Sequence, residues 1–146
     1  MLLNPSRDSI TDHINGLLNA VSISADGWVA SEASEELVAK LVVLATSLAE
    51  LRQRNAHVYV CGNGGSCANA SHLVLHLRDV GIKAHDMMAD APWLTAIAND
   101  FAYDQAFARY LQSIGPGPED LLIVISGSGN SKNIIKALVF AANLSI

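Results

Sequence analysis

The sequence predicts an α/β fold, a doubly wound parallel sheet preceded by a helical hairpin, from three observations. Two short apolar runs, at 57–61 and 121–125, each break into a loop of glycine and hydroxyl residues. A segment with helical periodicity follows each loop, so strands and helices alternate along the chain. Two more helical segments precede the first run. Such alternation is typical of right-handed βαβ units, which form parallel sheets.

Composition restricts the class of protein and its partners. The 146 residues suffice for one domain, and 51% of them are apolar while 16% are charged. A net charge of −5 and the lack of a Lys/Arg stripe argue against a nucleic-acid partner. No apolar run has the length of a membrane span, and the first residues do not resemble an export signal. The two cysteines, Cys61 and Cys67, do not match common zinc spacings, and we expect a cytoplasmic protein.

Residues 1–55 are predicted to form the helical hairpin. Pro5 lies at a helix start and precedes an apolar stripe with helical spacing, formed by Ile10, Ile14, Leu17, Leu18 and Val21. A second helix begins near Ser31, and its leucines follow a 4-3-4-3 rhythm at Leu37, Leu41, Leu44, Leu48 and Leu51. Neighbouring valines make this face wider than one core needs. We therefore expect contact with a partner chain, in a homo-oligomer that is a dimer or a tetramer.

Residues 56–146 are predicted to form the sheet of the same single domain. The strands are expected at 57–61, 83–88 and 121–125, with the third buried on both faces because its apolar residues do not alternate with polar ones. Between the second and third strands we expect a turn at 90–92, a short helix at 93–98, and a helix capped by Asp100. A last helix covers 132–143. We expect the fold to be truncated there, because a fourth strand should follow downstream of Ile146.

Both glycine-rich loops follow the carboxyl ends of predicted strands. Residues 62–66 combine three glycines with Asn63 and Ser66, and a helix begins close to Ser66. Glycines allow a tight turn and a close backbone approach to a ligand, and the start of the helix favours an anion. Residues 126–131 form a second loop with three serines at another helix start. Since the carboxyl ends of parallel strands share one edge, the two loops are predicted to meet at one phosphate-binding crevice.

Three motifs make the sequence resemble the SIS (sugar isomerase) domain family, and within it the phosphoheptose isomerases. They are Cys-Gly-Asn-Gly-Gly-Ser at 61–66, Ala-Ile-Ala-Asn-Asp at 96–100 and Ile-Ser-Gly-Ser-Gly-Asn-Ser at 125–131. The motif order and the helical hairpin match as well, so the resemblance covers nearly the whole chain. It implies a flavodoxin-like αβα sandwich, isomerisation of sedoheptulose 7-phosphate to a heptose 7-phosphate, and a homotetramer with active sites at subunit contacts.

The resemblance also implies roles for individual residues. Phosphate binding is assigned to the second loop, through Ser126, Gly127, Ser128 and Ser131. Family members usually carry Thr or another side chain where this chain has Gly127, so one hydroxyl contact is lost. The sugar site is implied to contain Asn63, Gly64, Ser66 and Asp100.

The helix after the first loop departs from the family pattern. The isomerases carry a His followed four residues later by a Glu, a metal ligand and acid/base, and here the two positions are His72 and His76. Isomerisation needs a base that moves a proton between neighbouring carbons, and His76 can replace Glu in that role. Both histidines can also bind zinc or nickel, although two ligands do not hold a metal alone. The family's other catalytic His and a Gln ligand belong to a helix expected downstream of Ile146.

Two alternatives remain. Without the resemblance, His72 is more simply a packing residue and His76 a surface residue. The first alternative is a SIS-domain protein that senses a sugar phosphate, or bridges partners, without turnover, which the missing Glu favours. Gly62, Gly64 and Cys67, with Asp86 about twenty positions on, loosely imitate a dinucleotide-binding fingerprint. The third glycine is missing, and the helical hairpin precedes the motif, whereas that fingerprint usually opens its domain. We therefore expect no nucleotide cofactor.

Overall fold

The structure, a computed structural model, describes residues 31–146, with side chains from residue 38 onward. The first helix of the predicted hairpin, with its stripe from Ile10 to Val21, lies outside the described residues. The chain divides into two compact units, residues 1–53 and 54–146. Helix α1, Ser31–Arg54, corresponds to the second predicted helix. On this helix Val42 and Val43 are 46% and 66% exposed, as expected for a face wider than one core needs.

The second unit contains three strands and four helices among the described residues. They follow the chain in the order β1 (His57–Gly62), α2 (Gly65–Asp79), β2 (Lys83–Asp86), α3 (Ala91–Asp100), α4 (Ala106–Ile114), β3 (Leu121–Ile125) and α5 (Lys132–Leu144). A 3-10 turn, Tyr103–Gln105, immediately precedes α4. The strands form one parallel sheet in the order β2-β1-β3. This arrangement confirms the predicted α/β fold. None of the described helices is long and apolar enough to cross a membrane.

Strand β1 is the centre of the sheet, and its two faces are covered by different helices. On one face, Tyr59 and Cys61 belong to a buried cluster with residues from β2's end, α4 and α5, namely Met87, Phe107, Leu111, Ile134 and Ala137. Alternation turns Val58 and Val60 to the other face, and both are fully buried. Helix α2 contacts β1 and β2 and buries Ala70, Val74 and Leu77. Helices therefore pack on both faces, as a doubly wound sheet requires.

The strand register places the two glycine-rich loops side by side. Gly62, the last residue of β1, pairs with Ile125, the last residue of β3. Both strands point in the same direction, so the segments 63–64 and 126–131 leave the sheet at the same edge. The predicted convergence of the two loops is confirmed at the level of the backbone.

Four local predictions are wrong. Strand β3 is half-buried along its whole length, because it lies at an edge of the three-stranded sheet formed by the described residues. Strand β2 ends at Asp86, earlier than predicted. Asp100 does not cap the following helix. It is the last residue of α3, and α4 begins after the 3-10 turn. Asp90 is the residue that caps a helix here, namely α3, because its side chain accepts the Trp93 N–H at 3.0 Å. Helix α3 therefore begins where a turn was expected.

Candidate functional site

The first loop owes its shape to its backbone. The Ser66 N–H donates to the Asn63 carbonyl at 2.9 Å, and the Cys67 N–H donates to Gly64 at 3.0 Å, so α2 begins directly from the turn. A Cβ on Gly62 would meet the Ser66 carbonyl oxygen at 2.6 Å. Gly64 has φ of +53°, a left-handed conformation that side chains with a Cβ disfavour. Glycine is therefore required at both positions, while Ser66 is half-buried at the helix start.

The second loop is closed by its own serine hydroxyls. Ser126 Oγ accepts the Gly129 N–H at 3.1 Å, and Ser128 Oγ accepts the Asn130 N–H at 3.2 Å. Accepting these bonds leaves the O–H of each serine able to donate to a ligand oxygen. Gly127 and Ser128 are exposed, and a Cβ on Gly127 would meet nothing within 4 Å.

Helix α5 begins at this second loop. Ser131 is its N-cap residue, and the structure shows no capping hydrogen bond from the Ser131 hydroxyl at this helix end. The positive end of the helix dipole and the first backbone N–H groups therefore meet the serine hydroxyls at one place. Lys132, the first helical residue, is exposed and adds a positive charge beside the loop. This arrangement suits a phosphate group.

A pair of side-chain amides joins the two loops. Asn63 Nδ2 donates to Asn133 Oδ1 at 2.9 Å, and Asn133 Nδ2 donates to Asn63 Oδ1 at 2.8 Å. Asn133 is only 2% exposed and is the one buried polar residue among the described residues. Tyr103 adds a third bond, because its hydroxyl donates to Asn63 Oδ1 at 2.8 Å. The first loop, the second helix start and the segment after α3 are thereby connected at one point.

Asp100 lies close in sequence to this network but is not part of it. Its side chain is exposed at the end of α3, where Asp100 Oδ1 accepts a hydrogen bond from the Asn99 amide at 2.8 Å. Tyr103, three residues later, is the member of this segment that reaches Asn63. The structure therefore places Asp100 near the segment that borders the loops, with its carboxylate turned to solvent.

His72 and His76 lie together on α2, away from the two loops. Their Nε2 atoms are 3.0 Å apart, and their rings are nearly perpendicular, at 86°. Both side chains are exposed, on the side of α2 opposite to its buried residues, and Leu75 beside them is 60% exposed. A hydrogen bond between two imidazoles requires one ring nitrogen that carries a hydrogen and donates it, and one that carries none and accepts.

The donor set of this histidine pair fits part of a zinc site. Two neutral imidazole nitrogens that converge from positions i and i+4 are suitable zinc ligands, but they fill only two coordination positions. Among residues 38–146, no cluster of three or more His, Cys, Asp or Glu side chains could hold a metal. Any complete site therefore needs ligands from outside this group of residues.

Asp86 stabilises the end of β2. Asp86 Oδ2 accepts a hydrogen bond from Ser71 Oγ at 2.6 Å, and Oδ1 accepts the Met88 N–H at 2.9 Å. Both carboxylate oxygens are thus engaged within the chain, which counts against Asp86 as the ribose ligand of a dinucleotide site. Burial raises the pKa of Cys61 to about 12, so this thiol behaves as a small apolar core residue.

Two residues of the site were missed at the level of sequence, Asn133 and Tyr103. Asn133 shares the buried face of α5 with Ile134, Ala137 and Ala141, and a polar residue on that apolar face was a usable signal. Tyr103 carried no such signal, because its contact with Asn63 spans 40 positions of the chain.

The fold and these contacts define an α/β domain in which two loops rich in glycine and serine lie side by side at the carboxyl edge of a parallel sheet. The sequence pattern of the SIS domain family matches residues 27–146. This chain therefore belongs to the SIS domain family.

Its relatives include proteins named phosphoheptose isomerase. The one from Helicobacter pylori (strain P12) is 39% identical over 119 residues, and the one from Aneurinibacillus thermoaerophilus is 36% identical over 137 residues. These alignments cover 77% and 90% of this chain. The structure of phosphoheptose isomerase from Neisseria gonorrhoeae superposes with a TM-score of 0.74 at 31% identity, covering 92% of this chain and 71% of that one.

The chain is shorter than these relatives. It spans 60% of the length of the Helicobacter protein and 65% of the length of the Aneurinibacillus protein. The residues that match the SIS domain pattern, 27–146, include both loops, Asn63, Asn133 and the two histidines.

Proposed function

We propose that the protein is a sugar-phosphate isomerase of the phosphoheptose type, acting on sedoheptulose 7-phosphate through an enediol-type intermediate. The observation that carries the proposal is the Asn63–Asn133 amide pair, which connects the first loop to the start of α5 directly after the second loop. Both loops lie in the segment that matches the SIS domain family. Relatives named phosphoheptose isomerase support the choice of substrate.

In this proposal the second loop binds the phosphate. The hydroxyls of Ser126 and Ser128 donate to phosphate oxygens while their own oxygens hold the loop closed. Ser131 adds a hydroxyl at the start of α5, and Gly127 leaves room for the ligand to approach the backbone. The dipole of α5 stabilises the negative charge of the phosphate.

The first loop binds the sugar in this proposal. Asn63 supplies its amide, Gly64 lets the backbone approach the ligand, and Ser66 supplies a hydroxyl at the start of α2. Asp100 would hydrogen-bond to sugar hydroxyls, as a carboxylate exposed near the segment that contacts Asn63. Polar groups that surround a sugar in this way set its position relative to a base.

Proton transfer is assigned to the histidine pair. His76 takes a proton from the carbon next to the carbonyl and returns it to the neighbouring carbon, while His72, 3.0 Å away, accepts or donates the hydrogen bond between the two rings. Zinc, if bound by His72 and His76 with ligands from elsewhere, would polarise the substrate carbonyl. The pair faces away from the sheet, so the proposal needs a second chain to bring a substrate and these histidines together.

A homotetramer or dimer would meet that need. Leu75 on α2 is a large apolar side chain that is exposed in the single chain, as on a face that another copy covers. Val42 and Val43 are exposed in the same way on α1, in the other unit. We further propose a cytoplasmic location, because the relatives are named as isomerases of a sugar phosphate. Static light scattering at micromolar concentration should give two to four times the monomer mass, and a stable monomer would refute this assembly.

Turnover in deuterium oxide tests the isomerase proposal. The protein is incubated with sedoheptulose 7-phosphate, with and without zinc, and the product is followed by NMR. An enediol route incorporates carbon-bound deuterium from solvent, because the base exchanges the proton that it removes. His76→Ala should reduce turnover by about a hundredfold or more without changing phosphate affinity. His76→Glu, which restores the family's carboxylate, should retain turnover. Absence of turnover on any sugar phosphate, in either metal condition, would exclude the reaction.

A second candidate function is sugar-phosphate binding without turnover, for which the observation is His76 at the position of the family's Glu. Both candidates predict that a sugar 7-phosphate raises the melting temperature, and that Ser128→Ala lowers phosphate affinity about fivefold by removing one hydroxyl donor. Only the second predicts that His76→Glu gains a turnover that the natural sequence lacks.

A further inference from the structure

The Asn63–Asn133 pair has a defined orientation, and the backbone determines it. Asn133 Oδ1 accepts the Ile134 backbone N–H at 3.0 Å, and a backbone N–H can only donate. The oxygen of the Asn133 amide must therefore point to Ile134. This oxygen also accepts from the Asn63 amide, so the atom of Asn63 beside it must be Nδ2. The other atom of Asn63, which accepts from Asn133 Nδ2 at 2.8 Å, must be Oδ1.

This orientation determines the role of Tyr103. Since the atom of Asn63 that Tyr103 contacts is Oδ1, which only accepts, the phenol must donate the hydrogen bond of 2.8 Å. The donor needs its proton, and burial raises the pKa of Tyr103 above the ordinary value of 10.0. The tyrosine hydroxyl therefore remains a donor over the neutral range.

The remaining hydrogen-bonding capacity of Asn63 follows by counting. Its Oδ1 accepts from both Asn133 and Tyr103, so two donors occupy its two lone pairs. Its Nδ2 uses one N–H on Asn133 and keeps the other. Asn63 is half-buried, and its first neighbour Gly64 is exposed. What the amide offers to a ligand is an N–H donor.

We propose that Tyr103 is a positioning residue that, together with Asn133, holds the Asn63 amide so that it recognises an acceptor oxygen on the sugar part of the ligand. Without the phenol donor, one lone pair of Asn63 Oδ1 is free and the amide can present an acceptor instead. The ligand group selected is a carbonyl or hydroxyl oxygen. The inference rests on the proposed sugar-phosphate site. It adds the residue that determines whether Asn63 offers a donor or an acceptor to the sugar.

Ligand affinity separates this role from phosphate binding. Dissociation constants are measured by calorimetry for sedoheptulose 7-phosphate and for inorganic phosphate. Tyr103→Phe should raise the constant for the sugar phosphate about five- to tenfold, the effect of one weakened hydrogen bond, and leave that for inorganic phosphate unchanged. Tyr110→Phe is the matched control, since Tyr110 packs against the core cluster of β1, and should change neither constant.

A double-mutant cycle tests whether Tyr103 acts through Asn63. In the Asn63→Ala background the effect of Tyr103→Phe on sugar-phosphate affinity should disappear, because the amide that it orients is gone. Additive effects of the two substitutions would overturn the proposal. Equal losses of affinity for the sugar phosphate and for inorganic phosphate would overturn it too, since they indicate a general structural defect.

A measurement without ligand keeps the inference separate from the proposed function. In the natural sequence the two Nδ2 protons of Asn63 should give one sharp, well-dispersed pair of NMR signals, because the amide has one orientation. Tyr103→Phe should shift this pair, because Asn63 Oδ1 loses one of its two donors, whereas Tyr110→Phe should not. An unchanged pair in Tyr103→Phe overturns the inference even if sugar phosphate binds. A shifted pair in a protein that does not bind sedoheptulose 7-phosphate supports the positioning role and rejects the proposed substrate.

Discussion

The two loops of the candidate site lie at the same edge of the sheet but are held in shape by different kinds of contact. The first, 62–66, is determined by backbone packing, since Gly62 lies against the start of α2 and Asn63 is held by three hydrogen bonds. The second, 126–131, is closed by the hydroxyls of Ser126 and Ser128. A Cβ at Gly127 or Gly129 would have no neighbour within 4 Å.

This difference favours separate binding roles for the two loops. A loop held from several elements keeps a fixed shape and can recognise the orientation of a sugar. A loop held by its own hydroxyls can adjust those hydroxyls to a phosphate, which has three equivalent acceptor oxygens. Glycine therefore has a steric role in the first loop, and at Gly127 in the second loop it merely leaves space.

The largest expected effect comes from placing a methyl group in the first loop. In Gly62→Ala the new Cβ would lie 2.6 Å from the Ser66 carbonyl oxygen and 2.7 Å from its carbon, so α2 must shift. We expect a loss of about 3 kcal/mol in the free energy of unfolding, measured by urea denaturation. Gly65→Ala is the control, because its Cβ would meet nothing within 4 Å and alanine favours the helix. Equal stability of both variants would contradict the steric role of Gly62.

An intermediate effect is expected from adding a side chain to the second loop. Gly127 has open space around its Cβ position and does not adopt a positive φ. Gly127→Thr should change stability by less than about 0.5 kcal/mol and tighten the binding of inorganic phosphate about fivefold, through one added hydroxyl. Gly129→Thr, at φ of +64°, should instead lose about 1 kcal/mol of stability. Identical behaviour of the two variants would show that this loop is as constrained as the first.

The smallest effect concerns a histidine pair between β1 and β2. The Nδ1 of His57, the first residue of β1, lies 2.7 Å from Nε2 of His85 on β2, and Tyr59 stacks on His85. Burial, and next the neighbouring His57, lower the pKa of His85 below its ordinary value of 6.5. Arg78 and Lys83 act in the same direction, and Asp120 opposes them.

The sign of the pH dependence follows from this lowered pKa. The unfolded chain binds a proton at His85 more tightly than the folded chain, so this stability is present above pH 6.5 and is lost as the pH falls through 6.5 towards the lowered value. Urea midpoints should decrease from pH 8 to pH 5.5, and His85→Gln should reduce the decrease. His72→Gln, at an exposed histidine on α2, should retain it. If His85→Gln keeps the full decrease, another group is responsible.

Much of the fold could be predicted from the sequence because its signals are local. The run at 121–125 matches β3, and Ser31 and Lys132 match the first residues of their helices. The burial of β3 could not be predicted, since a fully apolar strand reads the same at the centre or at the edge of a sheet. Asp90 and Asp100 are equally good caps by residue type, and only the backbone between them decides which one faces a free N–H.

The sequence by itself determined the α/β class, the two loops with their serines and glycines, and the family resemblance, because these depend on neighbouring residues and on spacing. Tertiary structure alone decided that Asn63 pairs with Asn133 across 70 positions, that Tyr103 donates a hydrogen bond to Asn63, and that His72 and His76 face away from the sheet. The physical reason is that a hydrogen-bond partner is chosen by the path of the whole chain. The residue type states only what a side chain can donate or accept.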